Sequence, residues 1–268
     1  MAGHPSSSLF FAAHPIFGRN EFAKAVGRHP SDRALTELLK YHLGAGNIRR
    51  IARGVFASTP KGPRTAAGVI DRFLAASRLR TGAVVAYRSA LELHGCATTP
   101  TNEVQLIASG EPGLVTTIDF ACRFVSPPPH HSPGEGLTTL ERQGLAISVT
   151  TLERTLVDLL DRYDLAGGPE DLFQCLDLVA ERNAPLDIDA MADFARRRRN
   201  AAAAGALGYW LARERDRLGV ADAALEDLRS LAPRHVRYAL GATPGRGRAA
   251  TGWNVILPTD IIEQYLDD

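Results

Sequence analysis

The chain has 268 residues, 45% of them hydrophobic, which is enough for two modest domains with separate cores. No run approaches the apolar length of a membrane span, the opening MAGHPSSSLFFAAHPIFG lacks the basic and long apolar regions of a signal peptide, and Cys96, Cys122 and Cys175 have no metal-ligand spacing, so a reduced, cytoplasmic protein without metal or cofactor is expected. The formal net charge is +1, yet Met1–Ala66 holds ten cations against Glu21, Asp32 and Glu37, a net +7, so the remainder carries −6 and the head is expected to bind a polyanion, DNA first.

Within the head, residues 8–17 (SLFFAAHPIF) read as a first helix or its remnant, ended by Pro15. Asn20–Val26 reads as a second short helix closed by Gly27. The turn His29-Pro30-Ser31 follows, with Ser31 as N-cap and Asp32 in the first turn of a third helix. From Arg33 to Leu43, Ala34, Leu35, Leu38, Leu39 and Leu43 make an apolar stripe. The opposite face carries Arg33, Glu37 and Lys40, flanked by Thr36 and Tyr41, and is suited to a major groove. Beyond Gly44-Ala45-Gly46, Ile48, Ile51, Val55 and Phe56 mark two short strands that turn at Gly54. Arg49, Arg50 and Arg53 then sit on a hairpin placed to hold phosphates. The order is that of a winged helix-turn-helix domain over 1–60.

Lys61–Arg64 reads as the link to a second domain, 66–268. An amphipathic helix is expected over 66–79, a strand over Val84–Tyr87 and a helix over Ser89–Gly95. Glu103–Ala108, Ile118–Val125 and Ala146–Val149 have strand composition, and 126–136 (SPPPHHSPGEG) is a loop. Thr150-x-x-Glu153 is a capping-box pattern ahead of Leu152, Leu156, Leu159 and Leu160. Helices are expected over 170–181, 187–199, about 200–218 and 222–230, with strands returning at Arg237–Leu240 and Asn254–Leu257. The fold class is therefore α/β: a winged helix followed by a mixed α/β domain with a helical second half.

No catalytic residue stands out. Glu153, Arg154 and Asp158 share a helix side, but a nuclease would need a lysine beside its acids, and all three lysines (Lys24, Lys40, Lys61) lie in the head. An Arg154–Asp158 ion pair is the expected role. His130 and His131 lie in the proline-rich loop without a partner motif. Arg196, Arg197, Arg198 and Arg199 span every side of a helix end and are a candidate second contact surface, for flanking DNA or for a protein.

The segment LTELLKYHLGAGNIRRIARGVFASTP resembles the winged helix of AbiEi-type antitoxins, the regulators of type IV toxin–antitoxin operons. VVAYRSALELHG (84–95), AISVTTLERTLVDLLDRYDLAGGPEDL (146–172), GALGYWLARERDRLGV and WNVILP (253–258) resemble later blocks of that family in the same order, so the likeness spans nearly the whole chain. The resemblance implies a non-enzymatic autorepressor that binds double-stranded DNA at its own promoter, on inverted repeats. It also implies a C-terminal domain that counteracts a nucleotidyltransferase-type toxin. The alternative reading is a stand-alone winged-helix regulator whose second domain senses a ligand.

Overall fold

The computed structural model describes residues 5–59, 70–130, 134–183 and 185–263. The Lys61–Arg64 link, residues 66–69 of the expected helix, and His131 lie outside them. The fold is mixed α/β, in two compact units. The first takes the described residues of Met1–Val85, Asn102–Ser126 and Thr139–Val149. The second takes those of Ala86–Thr101, Pro127–Thr138 and Thr150–Asp268.

The first unit opens with α1 (Pro5–Ala13), β1 (Ile16–Gly18), α2 (Arg19–Ala25), α3 (Arg33–Gly44), β2 (Ile48–Ala52) and β3 (Val55–Ser58). Pro15 lacks an amide proton and disfavours helix at His14, so the first helix stops at Ala13. Ile16 and Phe17, expected at that helix's end, instead pair with Ala57 and Phe56 in an antiparallel sheet of order β1-β3-β2. Phe10, Phe17, Phe22, Leu35, Leu39, Ile48 and Phe56 form one core, and each large side chain contributes about 1.5–3 kcal/mol on burial.

On α3, Leu35 and Leu39 are buried and Leu38 and Leu43 half-buried, but Ala34 is exposed and His42 completes the inner face. Asp32, not Ser31, is the N-cap; its carboxylate turns back to accept from His29 N at 3.1 Å, while the Ser31 hydroxyl bonds His29 Nδ1.

The unit continues with α4 (Arg72–Ser77), β4 (Val84–Val85), β5 (Glu103–Ile107), β6 (Gly113–Thr116), β7 (Ala121–Val125), β8 (Leu137–Arg142) and β9 (Leu145–Thr150). These strands form a mixed sheet of order β6-β7-β5-β4-β9-β8. α4 is shorter than expected because Asp71 caps it, accepting from Leu74 N at 3.0 Å. The strand expected from Ile118 begins at Ala121, since Thr117 Oγ1 accepts from Phe120 N at 3.0 Å and closes a turn that leaves Ile118 exposed. Both edge strands were invisible in the sequence pattern: β6 is exposed at every residue and β8 is half-exposed.

The second unit holds α5 (Tyr87–Leu93), α6 (Leu152–Asp161), α7 (Pro169–Glu181), α8 (Ile188–Arg198), α9 (Ala201–Arg213), α10 (Arg215–Leu218), α11 (Asp222–Leu231), β10 (Arg237–Tyr238), β11 (Gly247–Ala250), β12 (Val255–Pro258) and α12 (Thr259–Glu263). Tyr87 starts a helix at φ +55 instead of extending β4. Thr151, one residue past the expected position, caps α6 by accepting from Arg154 N. The Thr150 hydroxyl is spent on Thr155 Oγ1, and Glu153 accepts from Asp187 N instead of closing a capping box. Gly208 admits the Trp253 ring against α9: a Cβ there would lie 2.0 Å from the indole.

Asp158 is fully buried in this unit. Arg198 Nε donates to its Oδ1 at 2.8 Å and Arg154 Nε to its Oδ2 at 3.4 Å, so the expected pair is a buried triad. Arg154 Nη1 also donates to Glu135 O at 2.6 Å. Burial, reinforced by Asp158, pushes the Tyr87 hydroxyl up to about 12. Removing one member of such a group strands charge in a dry interior. Asp158→Ala is expected to lower stability by about 3–5 kcal/mol in urea unfolding. An unchanged midpoint would mean that both guanidinium groups reach solvent at no cost.

Candidate nucleic-acid interface

The outer face of α3 presents Arg33, Glu37 and Lys40 as exposed side chains and Thr36 as a half-exposed one. Tyr41 is 48% exposed beside them. Lys40 Nζ lies 3.0 Å from Glu37 Oε1, an exposed pair that a stronger anion displaces easily. Arg19, one cation among many in the sequence, fixes the start of this helix. It donates to Pro30 O at 2.5 Å and to Thr36 Oγ1 at 2.7 Å, so Thr36 is held by an arginine as well as offered to the outside.

The β2–β3 hairpin turns at Gly54, whose φ of +80 is the left-handed conformation that glycine adopts without strain. Its arginines are not equivalent. Arg49 Nη1 donates to Asp119 Oδ2 at 3.0 Å. Arg50 Nε donates to Ala52 O at 3.3 Å. Among the described residues, Arg33, Arg50 and Arg53 have no carboxylate partner. Arg50 and Arg53 share with Thr36 and Lys40 an open cleft of about 1000 Å³. Arg78 and Arg80, which sequence reasoning missed, line the same cleft. Arg78 is partly neutralised by Glu21 at 3.1 Å; Arg80 donates to Glu111 O at 2.8 Å and lies 3.8 Å over the Phe124 ring. In the sequence they were only two more arginines at the end of the expected helix, far from the hairpin in the chain.

The arginine run of the second unit is largely engaged by acids. Arg196 pairs with Asp193 and with Asp227, Arg197 with Glu135, and Arg198 with Asp158. Arg199 is exposed at the end of α8. Burial pushes the Cys122 thiol up to about 12 and raises Cys96 and Cys175, which disfavours reactive thiolates near neutral pH. Among the described residues no three His, Cys, Asp or Glu side chains gather as a metal site, and no helix is long and apolar enough to cross a membrane.

His42 lies behind the α3 face, 2% exposed, with Phe11 edge-on at 4.8 Å. Its Nδ1 accepts from Asn47 Nδ2 at 3.1 Å, which puts the ring proton on Nε2, buried without a partner. Burial holds its pKa below the ordinary 6.5. Between that lowered value and 6.5 the unfolded chain binds a proton that the folded chain refuses, so stability falls as pH drops. His42→Phe is expected to reduce this acid sensitivity of the α1–β3 segment, read by amide exchange on α3 between neutral and mildly acidic pH. A wild-type profile as flat as that of the variant would contradict the assignment.

No protein-family model matches this chain, and no curated protein sequence matches it.

Proposed function

We propose that the chain is an AbiEi-like antitoxin, a cytoplasmic, non-enzymatic autorepressor of its own toxin–antitoxin operon. In this reading residues 1–60 are a winged helix and residues 66–268 are the antitoxin domain. The order helix–strand–helix–helix–strand–strand, closed by the antiparallel sheet β1-β3-β2, supports the winged helix.

The observation that carries the DNA reading is the convergence of Lys40 on α3 and the carboxylate-free Arg50 and Arg53 on one open cleft. α3 enters a major groove near the promoter and turns Arg33, Thr36, Glu37 and Lys40 toward base edges. Arg50 and Arg53 hold neighbouring phosphates, and polymerase is excluded. Phosphate contacts give affinity and salt dependence; only the α3 side chains select sequence. The toxin half of the proposal rests on the likeness of the blocks beyond residue 83, above all residues 146–172, to the AbiEi antitoxin family. Its test is co-expression with a neighbouring nucleotidyltransferase gene, where relief of growth arrest is expected.

The DNA half is tested by fluorescence anisotropy on the duplex upstream of the gene, against scrambled duplex, at two salt concentrations. Wild type is expected to prefer the upstream duplex. Arg50→Ala with Arg53→Ala should weaken binding at least about tenfold and flatten the salt slope by about 2, since each phosphate contact contributes about 0.9. Arg49→Ala should do much less, because Asp119 already takes its charge. If all three arginines matter equally, the cleft does not define the contact.

A further inference from the structure

A second basic concavity lies wholly within the second unit. At the end of α8, Arg199 adopts φ +54 and ψ +25, a left-handed turn that separates it from Arg196–Arg198 and their carboxylates. Arg199 lies on the wall of a cleft of about 580 Å³ whose lining also includes Arg234, His235 and Arg237. Among the described residues, no Asp or Glu lines it. The three arginines are exposed and, among the described residues, have no carboxylate partner. Elsewhere in the unit Arg213, Arg215, Arg217 and Arg229 are all ion-paired. The start of α9 does not supply the attraction, because Asn200 Oδ1 already accepts from Ala202 N and Ala203 N.

We propose that this cleft binds the phosphates of nucleotides, either free or in a single strand. Three guanidinium groups around one small concavity repel one another, and a lone carboxylate would offset only one of them. A phosphate or a run of phosphates brings more charge and several acceptor oxygens that match the planar guanidinium forks. The volume is that of a nucleotide-sized site. A strand can lower successive phosphates into a concavity, whereas a duplex carries them on a convex cylinder. Because the rest of the chain outside the basic head is net negative, the cleft concentrates a field that its surroundings oppose.

The test uses the full chain carrying Arg50→Ala and Arg53→Ala, so that the proposed DNA face is weakened and the two readings fail separately. The probes are a short fluorescent RNA, the same sequence as single-stranded DNA and as duplex, ADP as competitor, and a polyglutamate peptide. Adding Arg199→Gln, Arg234→Gln and Arg237→Gln is expected to weaken single-strand binding about tenfold and flatten its salt slope by about 2, at about 0.7 per contact. The single variant Arg234→Gln, exposed and outside any helix or strand, should weaken it in the same direction and guards against a folding defect. Displacement of the RNA by ADP assigns a nucleotide site, and the same loss without displacement assigns the strand backbone. The proposal is overturned if the triple variant binds as before, or if Arg215→Gln, which removes a charge already paired with Asp222, weakens binding as much as Arg234→Gln. It is also overturned if the triple variant loses the peptide as much as it loses RNA, which would mark the cleft as a surface for an acidic protein.

Discussion

The allocation of carboxylates among twenty-eight arginines decides which surfaces of this chain present charge. A guanidinium held by an acid is a structural fastener; one left without an acid is an offer to an outside anion. In the first unit Asp119 claims Arg49 and Glu21 claims Arg78, and the hairpin is left with Arg50 and Arg53. In the second unit Asp158, Glu135, Asp193 and Asp227 claim three of four consecutive arginines, and the left-handed residue at the helix end frees the fourth. Net charge alone, at +1, conceals both outcomes.

The buried triad on Asp158 illustrates the fastening role. It joins α6 to α8 through Arg198, and Arg154 extends the link to the loop carbonyl of Glu135. Such a group contributes less to net stability than its Coulomb attraction suggests, because three charges have left water. Its value is geometric. With Arg198 fixed, the end of α8 is fixed, and so is the direction in which Arg199 leaves it.

Much of the fold was legible where one face of an element is buried and the other is not. The leucine spacing of α3, the apolar rhythm of β2 and β3, and the stripe of α6 all translate into periodic pattern. β6, β8 and β11 were missed for a physical reason: edge strands held by backbone hydrogen bonds need no buried side-chain row, and β6 buries none. Capping was misread by one residue at both Ser31 and Thr150, because neighbouring hydroxyls and carboxylates compete for the same amides. The candidate site was legible as a set of cations but not as a hierarchy. That Arg49 meets Asp119, seventy residues away, or that Arg80 lines the cleft, is tertiary information with no local trace.

Gly208 beneath the Trp253 ring has a consequence for the order in which the chain acquires structure. The core of the opening segment is drawn from Phe10 to Phe56, so it closes from contiguous chain. The six-stranded sheet waits for β9, which pairs with β4 from some sixty residues earlier. The second unit waits longer still, because α9 is capped by an indole forty-five residues further on. Loop closure over such separations is slow relative to local helix formation. During synthesis, therefore, the opening segment matures first, while the helices of the second unit stand with an uncovered small-residue face at Gly205 and Gly208 until Trp253 arrives.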